Sequence, residues 1–182
     1  LKFWTLLRNH ADLKAYIPKT LKYTNSKSVL HMVEGCNSVY LKPYNKSQGK
    51  GIFHLKESEE GYLLTDGSFN SIHIKNKKQL NRVLKRKLKG SYLIQQEIFS
   101  IIAGKKIDFR VYLHKDQNNE WFLSGMEAKI AKEGSIISNF INRENMMPGE
   151  KALQQYFQLN SDKIEQLKTI IFELSKKAIT EI

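Results

Sequence analysis

Several features are scarce in this chain, and each scarcity closes off a class of function. There is a single cysteine, Cys36, so no internal disulfide can form, which fits a reducing, cytoplasmic setting. No partner that would make Cys36 a nucleophile is apparent. No apolar run approaches the roughly 20 residues needed to cross a bilayer, and the N-terminus carries no signal-like pattern. A soluble protein with no membrane partner is therefore expected. Acidic residues are outnumbered, 18 against 30 Lys and Arg, for a formal net charge of +12. That excess suits an anionic partner: nucleic acid, an anionic surface or a polyphosphate ligand. Zinc-finger spacing and the stacked aromatic motif of RNA-binding modules are both missing, as are internal repeats and low-complexity tracts.

What is present can build a core. With 41% hydrophobic and 26% charged residues over 182 positions, the composition is that of a folded chain of one domain or two small lobes. The densest basic run is Lys75, Lys77, Lys78, Arg82, Lys85, Arg86, Lys87 and Lys89. It interleaves with Leu80, Val83, Leu84 and Leu88 at helical spacing. Those apolar residues predict one buried stripe, with the basic residues on the solvated face. A nucleic-acid-binding helix is the competing reading, and it is not the expected one.

The most informative stretch begins at Val39-Tyr40-Leu41-Lys42-Pro43 and runs through Asn45, Lys46, Ser47, Gln48, Gly49, Lys50 and Gly51. Val39, Tyr40 and Leu41 favour an extended, buried segment. Pro43 stops it from continuing as a central ladder member, so Lys42 is held near a strand end. Gly49 and Gly51 can take positive φ and let the backbone approach a ligand. Consecutive loop N–H groups form an anion-binding concavity, and Lys42, Lys46 and Lys50 add positive charge. A Walker loop is excluded: Gly51 occupies the Ser/Thr place, no glycine lies five residues before Gly49, and Ile52 to Leu55 has the pattern of a strand. Taken alone, the loop is equally a lysine-rich hairpin turn and a nucleotide site.

Around it the pattern predicts a helix from Phe3 to Leu13, broken at Tyr16-Ile17-Pro18, and a short helix over Asn25 to Gly35. Strands are expected at Ser38–Lys42, Gly51–Lys56, Tyr62–Thr65 and Ser71–Lys75, with a turn at Asp66-Gly67, followed by the basic helix. Beyond Gly90, Ser91 to Ile98 begins as a buried strand and turns polar, as suits a hinge between lobes. Phe109, Val111 and Leu113 alternate with Asp108, Arg110, Tyr112 and His114, which places the two sets on opposite sheet faces. The Asp116 to Asn119 turn returns the chain through Trp121 to Lys129. After Asn160-Ser161-Asp162, residues Ile164, Leu167, Ile171, Leu174 and Ala178 keep helical spacing, with Asn160 or Ser161 as N-cap.

The order of these elements, with Lys42 on a strand, the glycine loop, the Gln95–Ile98 hinge, Asp108-Phe109-Arg110-Val111 and then Ser138-Asn139, resembles the ATP-grasp fold. More narrowly it resembles the YheC/YheD family of spore-coat-associated ATP-grasp proteins, across essentially the whole chain. The resemblance implies an α+β architecture of two small lobes with antiparallel sheets around a nucleotide cleft. Residues 1–37 would form a helical lead-in, 38–94 the small lobe, and 95–182 the hinge and part of the large lobe. It implies ATP as ligand, with Mg²⁺. Lys42 would meet the α-phosphate side, and Asn45, Lys46, Ser47, Gln48, Gly49, Lys50 and Gly51 would cover the β- and γ-phosphates. Gln95 would meet the adenine amino group, with the backbone of Gln96, Glu97 and Ile98 lining the adenine slot. Arg110, Lys129 and Asn139 would face the transferred phosphoryl group, where positioning and charge neutralisation do most of the catalysis. Each also has a plainer reading: Arg110 as an ion pair with Asp108 or Glu127, Asn139 as a turn residue.

These enzymes hold Mg²⁺ with an acidic residue and a late Glu-x-Asn element, because a hard cation demands oxygen ligands. No Glu-x-Asn follows Asp108; Glu144-Asn145 has the wrong spacing. Either the metal ligands lie in a C-terminal segment beyond Ile182 or this copy has lost them, and residues 1–182 alone are expected to bind ATP weakly and turn over nothing. The implied function is an ATP-dependent carboxylate ligase working through an acyl phosphate, on a carboxylate and a nucleophile that the sequence does not name. The alternative is a noncatalytic, spore-associated module that keeps an ATP-grasp shell and partners spore-coat proteins.

Overall fold

A computed structural model describes residues 2–180. In chain order its elements are α1 (Lys2–Asn9), β1 (Thr20–Lys22), α2 (Ser26–Cys36), β2 (Ser38–Pro43), β3 (Phe53–Ser58), β4 (Gly61–Asp66), β5 (Ser71–Ile74) and α3 (Lys77–Lys87). These are followed by β6 (Tyr92–Gln96), β7 (Ile101–Ile102), β8 (Lys105–Lys115), β9 (Trp121–Ala131), β10 (Arg143–Pro148), α4 (Gly149–Phe157) and α5 (Ser161–Thr180). They form two compact units. One comprises residues 18–99 and 131–142; the other comprises the residues up to Ile17, 100–130 and those from Arg143 onward.

The unit of residues 18–99 and 131–142 is a six-stranded sheet in the order β1-β6-β2-β3-β4-β5, with every pairing antiparallel. Strand alternation sorts its residues onto two faces. Val39, Leu41, Leu55, Leu64 and Ile94 are buried in one cluster with Val29 and Val33 of α2 and Leu80 and Leu84 of α3. Each such buried aliphatic side chain contributes about 1.5–3 kcal/mol. The apolar stripe expected within the basic run is this buried face of α3, and its lysines and arginines are largely exposed. Helix α2 starts where the Asn25 side chain accepts from Lys27 N and Ser28 N, and ends at Asn37 in the left-handed region.

In the other unit, β8 and β9 are long antiparallel partners in a four-stranded sheet ordered β10-β9-β8-β7. Ile107, Ala128 and Ile130, with Met126, form clusters against α4 and α5, joined by half-buried Phe109 and Val111. Asp116 closes the β8–β9 turn by accepting from Asn118 N and Glu120 N, each at 2.9 Å. Asn160, rather than Ser161, caps α5 through Lys163 N at 3.0 Å.

Some boundaries differ from those expected. The first helix stops at Asn9 instead of reaching Leu13, and a 3₁₀ turn at Lys14–Tyr16 follows. There the His10 side chain takes the Asp12 N–H at 3.2 Å, a local side-chain acceptor in place of the helix ladder. The strand after the glycine loop begins at Phe53 rather than Gly51, because Ile52 N closes the loop's own turn on Gly49 O at 3.3 Å. Strand β2 runs on through Pro43, which pairs only toward β6.

Candidate functional site

The sequence Ser38-Val39-Tyr40-Leu41-Lys42 alternates polar and apolar residues. As β2, it turns Val39 and Leu41 toward the helices and leaves Ser38, Tyr40 and Lys42 on the opposite face. The neighbouring strands add Gln95 of β6, opposite Tyr40, and His54 of β3. The outcome is a continuous polar network. Lys42 Nζ donates to Gln95 Oε1 at 2.6 Å, Gln95 Nε2 donates to Thr20 Oγ1 at 3.0 Å, and Thr20 Oγ1 donates to Pro18 O at 2.9 Å. Lys42 Nζ also lies 5.5 Å from the Tyr40 ring centroid. Half-buried Lys42 is thus aimed along the sheet face by a fixed amide.

A second group centres on Glu97, which is 8% exposed. Ser38 Oγ donates to its Oε2 at 2.5 Å, His54 Nε2 stands 2.9 Å from the same oxygen, and Tyr40 OH lies 3.4 Å from Oε1. A carboxylate this deep is tolerated only because donors surround it. Tyr40 OH also donates to Ile136 O at 2.9 Å, which ties in the returning segment 131–142. Sequence reasoning named Glu97 for its backbone alone and missed its side-chain cluster together with Thr20, Ser38, Tyr40 and His54. The polar alternation of β2 was the signal that could have found Ser38 and Tyr40. The backbone after Gln95 is partly committed: Gln96 N donates to Lys19 O and Glu97 N to Ser38 O. Ile98 is 59% exposed.

The loop between β2 and β3 is held from two sides. Lys50 N donates to Ser47 O at 3.1 Å, and Gln48, Gly49 and Gly51 all have positive φ. Tyr92 OH donates to Gly51 O at 3.2 Å; burial pushes that phenol's pKa up, keeping it a donor. A Cβ on Gly51 would meet Lys46 Nζ at 3.3 Å, so the Lys46 side chain folds over it. A Cβ on Gly49 would meet Ile137 Cδ1 at 2.6 Å and Asn139 Nδ2 at 2.9 Å. Asn45, Lys46, Ser47, Gln48 and Lys50 are exposed. Beside Lys42 and Pro43, Tyr44 has a buried hydroxyl with no hydrogen-bond partner among the described residues, and burial raises its pKa.

One unit therefore carries Lys42, the Asn45–Gly51 loop, Gln95–Ile98 and Asn139. Arg110 and Lys129 belong to the other. There, Arg110 is exposed and opposite Glu127 in the ladder. Glu127 is engaged by Tyr112 OH at 3.2 Å and Lys129 Nζ at 3.8 Å. Asp108 stands opposite Lys129, so this face alternates in charge. Among the described residues no three His, Cys, Asp or Glu side chains converge as a metal site. A Mg²⁺ ion that accompanies a nucleotide takes phosphate and water oxygens with only one or two protein carboxylates, so such a cluster is not what it would need.

A family model described as YheC/D like ATP-grasp matches residues 1–182. The chain belongs to the YheC/D-like ATP-grasp family. The two antiparallel sheets with their helices are the α+β architecture that the resemblance implied. Endospore coat-associated protein YheD of Bacillus subtilis (strain 168) is 24% identical over 181 residues, covering 96% of this chain and 38% of that relative. The chain thus spans well under half of the relative's length. Among the described residues, no helix is long and apolar enough to cross a membrane.

Proposed function

We propose that the polar sheet face of Thr20, Tyr40, Lys42 and Gln95, with the Asn45–Gly51 loop, binds ATP as the nucleotide-holding part of a carboxylate ligase. The observation that carries this reading is the 2.6 Å hydrogen bond from Lys42 to Gln95. It sets a cation at the mouth of a positive-φ loop in line with the amide at the end of β6. Bound there, ATP would supply the phosphoryl group that activates a carboxylate as an acyl phosphate. Lys42 would neutralise α-phosphate charge, the loop would present N–H groups to the outer phosphates, and Gln95 would exchange its lysine contact for the adenine amino group. Asn139, pressed against Gly49, would position the loop and approach the phosphates. The unpartnered Tyr44 hydroxyl adds a donor at the root of the loop.

Lys42→Ala should weaken ATP binding by roughly 1–3 kcal/mol, the worth of a charge-assisted contact. Isothermal titration of the wild type and the variant reads this directly, and unchanged affinity would sink the assignment. Residues 1–182 with Mg-ATP should show binding without hydrolysis, because no Glu-x-Asn element follows Asp108 in this sequence; a measured ATPase rate contradicts this.

The name of the Bacillus relative supports a second reading, a noncatalytic spore-associated module that docks on coat proteins. It requires a fold whose melting temperature ignores Mg-ATP. A thermal shift with nucleotide supports the first reading, and its absence the second.

A further inference from the structure

Helices α2 and α3 cover the sheet face opposite Lys42, and the ATP reading makes no use of their outer surface. Between them lies a groove of about 530 Å3. Lys27, His31 and Glu34 of α2 and Lys77, Lys78 and Asn81 of α3 form its walls, and Leu30 adds an apolar patch. Ser26 Oγ donates to Asn81 Oδ1 at 3.0 Å, which fixes one helix against the other. Both walls belong to the same unit, and none of their residues belongs to the nucleotide face or the glycine loop.

The groove opens onto an unbalanced charge. Residues 75–89 contain eight Lys and Arg and no Asp or Glu. Lys78, Arg82 and Lys85 recur at helical spacing and are all exposed, so they form one stripe that starts at the groove. Like charges three and four residues apart weaken a helix by about 0.2–0.5 kcal/mol a pair, a cost that a surface carrying both signs avoids. The ion pair that reaches α3 joins Lys77 to Glu34 at 2.9 Å, and α3 holds no carboxylate of its own for the stripe. Its repulsion is relieved by an anionic partner from outside the helix.

The chemistry of the walls chooses the class of partner. Among the described residues, no aromatic side chain stands in α3 or lines the groove, so unpaired bases would find nothing to stack on. A flat lipid surface does not enter a groove between helices. Glu34 repels phosphate but accepts from a peptide N–H. An extended chain sets alternate side chains about 7 Å apart, close to the rise of about 6 Å from Lys78 to Arg82 along a helix. We propose that the groove and the stripe of Lys78, Arg82 and Lys85 dock an extended acidic peptide segment, with alternate carboxylates on the stripe and its backbone in the groove. Its test needs no nucleotide, so its failure and the failure of the ATP reading are distinguishable.

The experiment is fluorescence anisotropy of a labelled ten-residue peptide of alternating Asp and Ser titrated with the protein. Saturable binding is expected, weaker at high salt and absent for the same peptide with Asn in place of Asp. Lys78→Glu/Arg82→Glu should weaken it by about tenfold or more, as expected when charge-assisted contacts are removed. Lys151→Glu/Lys163→Glu, which reverses as many exposed charges on the other unit, should leave it unchanged. His31→Trp, which fills the groove from an exposed position and adds no charge, should weaken it severalfold. Duplex DNA and phosphatidylserine vesicles, titrated beside the peptide, should both bind less tightly. The proposal is overturned if the peptide does not saturate, if the two charge-reversed variants lose affinity equally, or if His31→Trp binds like the wild type. It is equally overturned if the duplex or the vesicles bind more tightly than the peptide, which would assign the face to nucleic acid or to an anionic membrane.

Discussion

Replacing Gly49 with alanine isolates the contact on which the loop's shape depends. Its φ is +77°, and a Cβ there would stand 2.6 Å from Ile137 Cδ1 and 2.9 Å from Asn139 Nδ2. Gly134 is the internal reference: it has φ +71° and nothing within 4 Å of its ideal Cβ. Holding alanine in the left-handed region costs about 1–2 kcal/mol. The stiffer unfolded chain returns about 0.4–1 kcal/mol, so Gly134→Ala should lose roughly 1 kcal/mol. Gly49→Ala carries that cost and crowding as well. Over-packing costs about 1–3 kcal/mol, and the lower part of that range applies because the obstructing atoms are side-chain ends that can withdraw. The expected total is roughly 2–3 kcal/mol, with Ile137 and Asn139 displaced. Tryptophan fluorescence cannot follow this, since Trp4 and Trp121 both belong to the other unit. Amide hydrogen exchange at Leu41 and Leu55, fully buried in the same unit as Gly49, reads the relevant opening free energy. Equal losses in the two variants would refute the steric argument and, with it, the claim that the returning segment shapes the loop.

Two further substitutions probe the polar face. Glu97→Gln keeps the shape but removes the charge that Ser38 and His54 converge on; it should destabilise this unit by about 1–3 kcal/mol, measured by the same exchange experiment. Tyr44→Phe deletes a buried hydroxyl that has no partner among the described residues. It should leave the ligand-free protein as stable or about 1 kcal/mol more stable, and should lower ATP affinity if that hydroxyl is a nucleotide contact; a clear loss of stability without ligand would show that the hydroxyl is already bonded.

Elements with a strong period and a chemical boundary were legible before any coordinates. Helix α2 announced itself through Asn25, α3 through its leucine and valine stripe, α5 through Asn160 and its spacing, and β8 through alternation from Asp108 to His114. What escaped had neither signal. Strand β1 is three residues long and exists because β6 offers an edge. Arg143–Pro148 is polar throughout its first half and pairs as β10 only through tertiary context. Helix α4 starts at Pro148 with no side-chain cap, and its glycine is required because Met126 Cγ lies 2.6 Å from where a Cβ would be. In the site, Lys42 and Gln95 stood out as single residues. The Glu97 cluster did not, because Ser38, Tyr40 and His54 meet only after β2 is flanked by β3 on one side and β6 on the other, and strand order is not written in any local pattern. The returning segment was hidden for a similar reason: its hydrogen bonds to Gly67 and Tyr40 join residues 75 and 96 positions apart along the chain, and no local pattern records such non-local pairing.

That segment also sets a timetable for biosynthesis. Residues 18–99 leave the ribosome with Tyr40 lacking its Ile136 acceptor and Gly67 lacking the Asn142 amide. The intervening stretch, which belongs to the other unit, must be translated first. At about 5–20 residues per second, the nascent sheet waits on the order of seconds for its last piece. Shortened versions ending near Phe99 would keep the strands yet release the glycine loop from its clamp, so any excised fragment meant to report on ligand binding has to extend through Asn142.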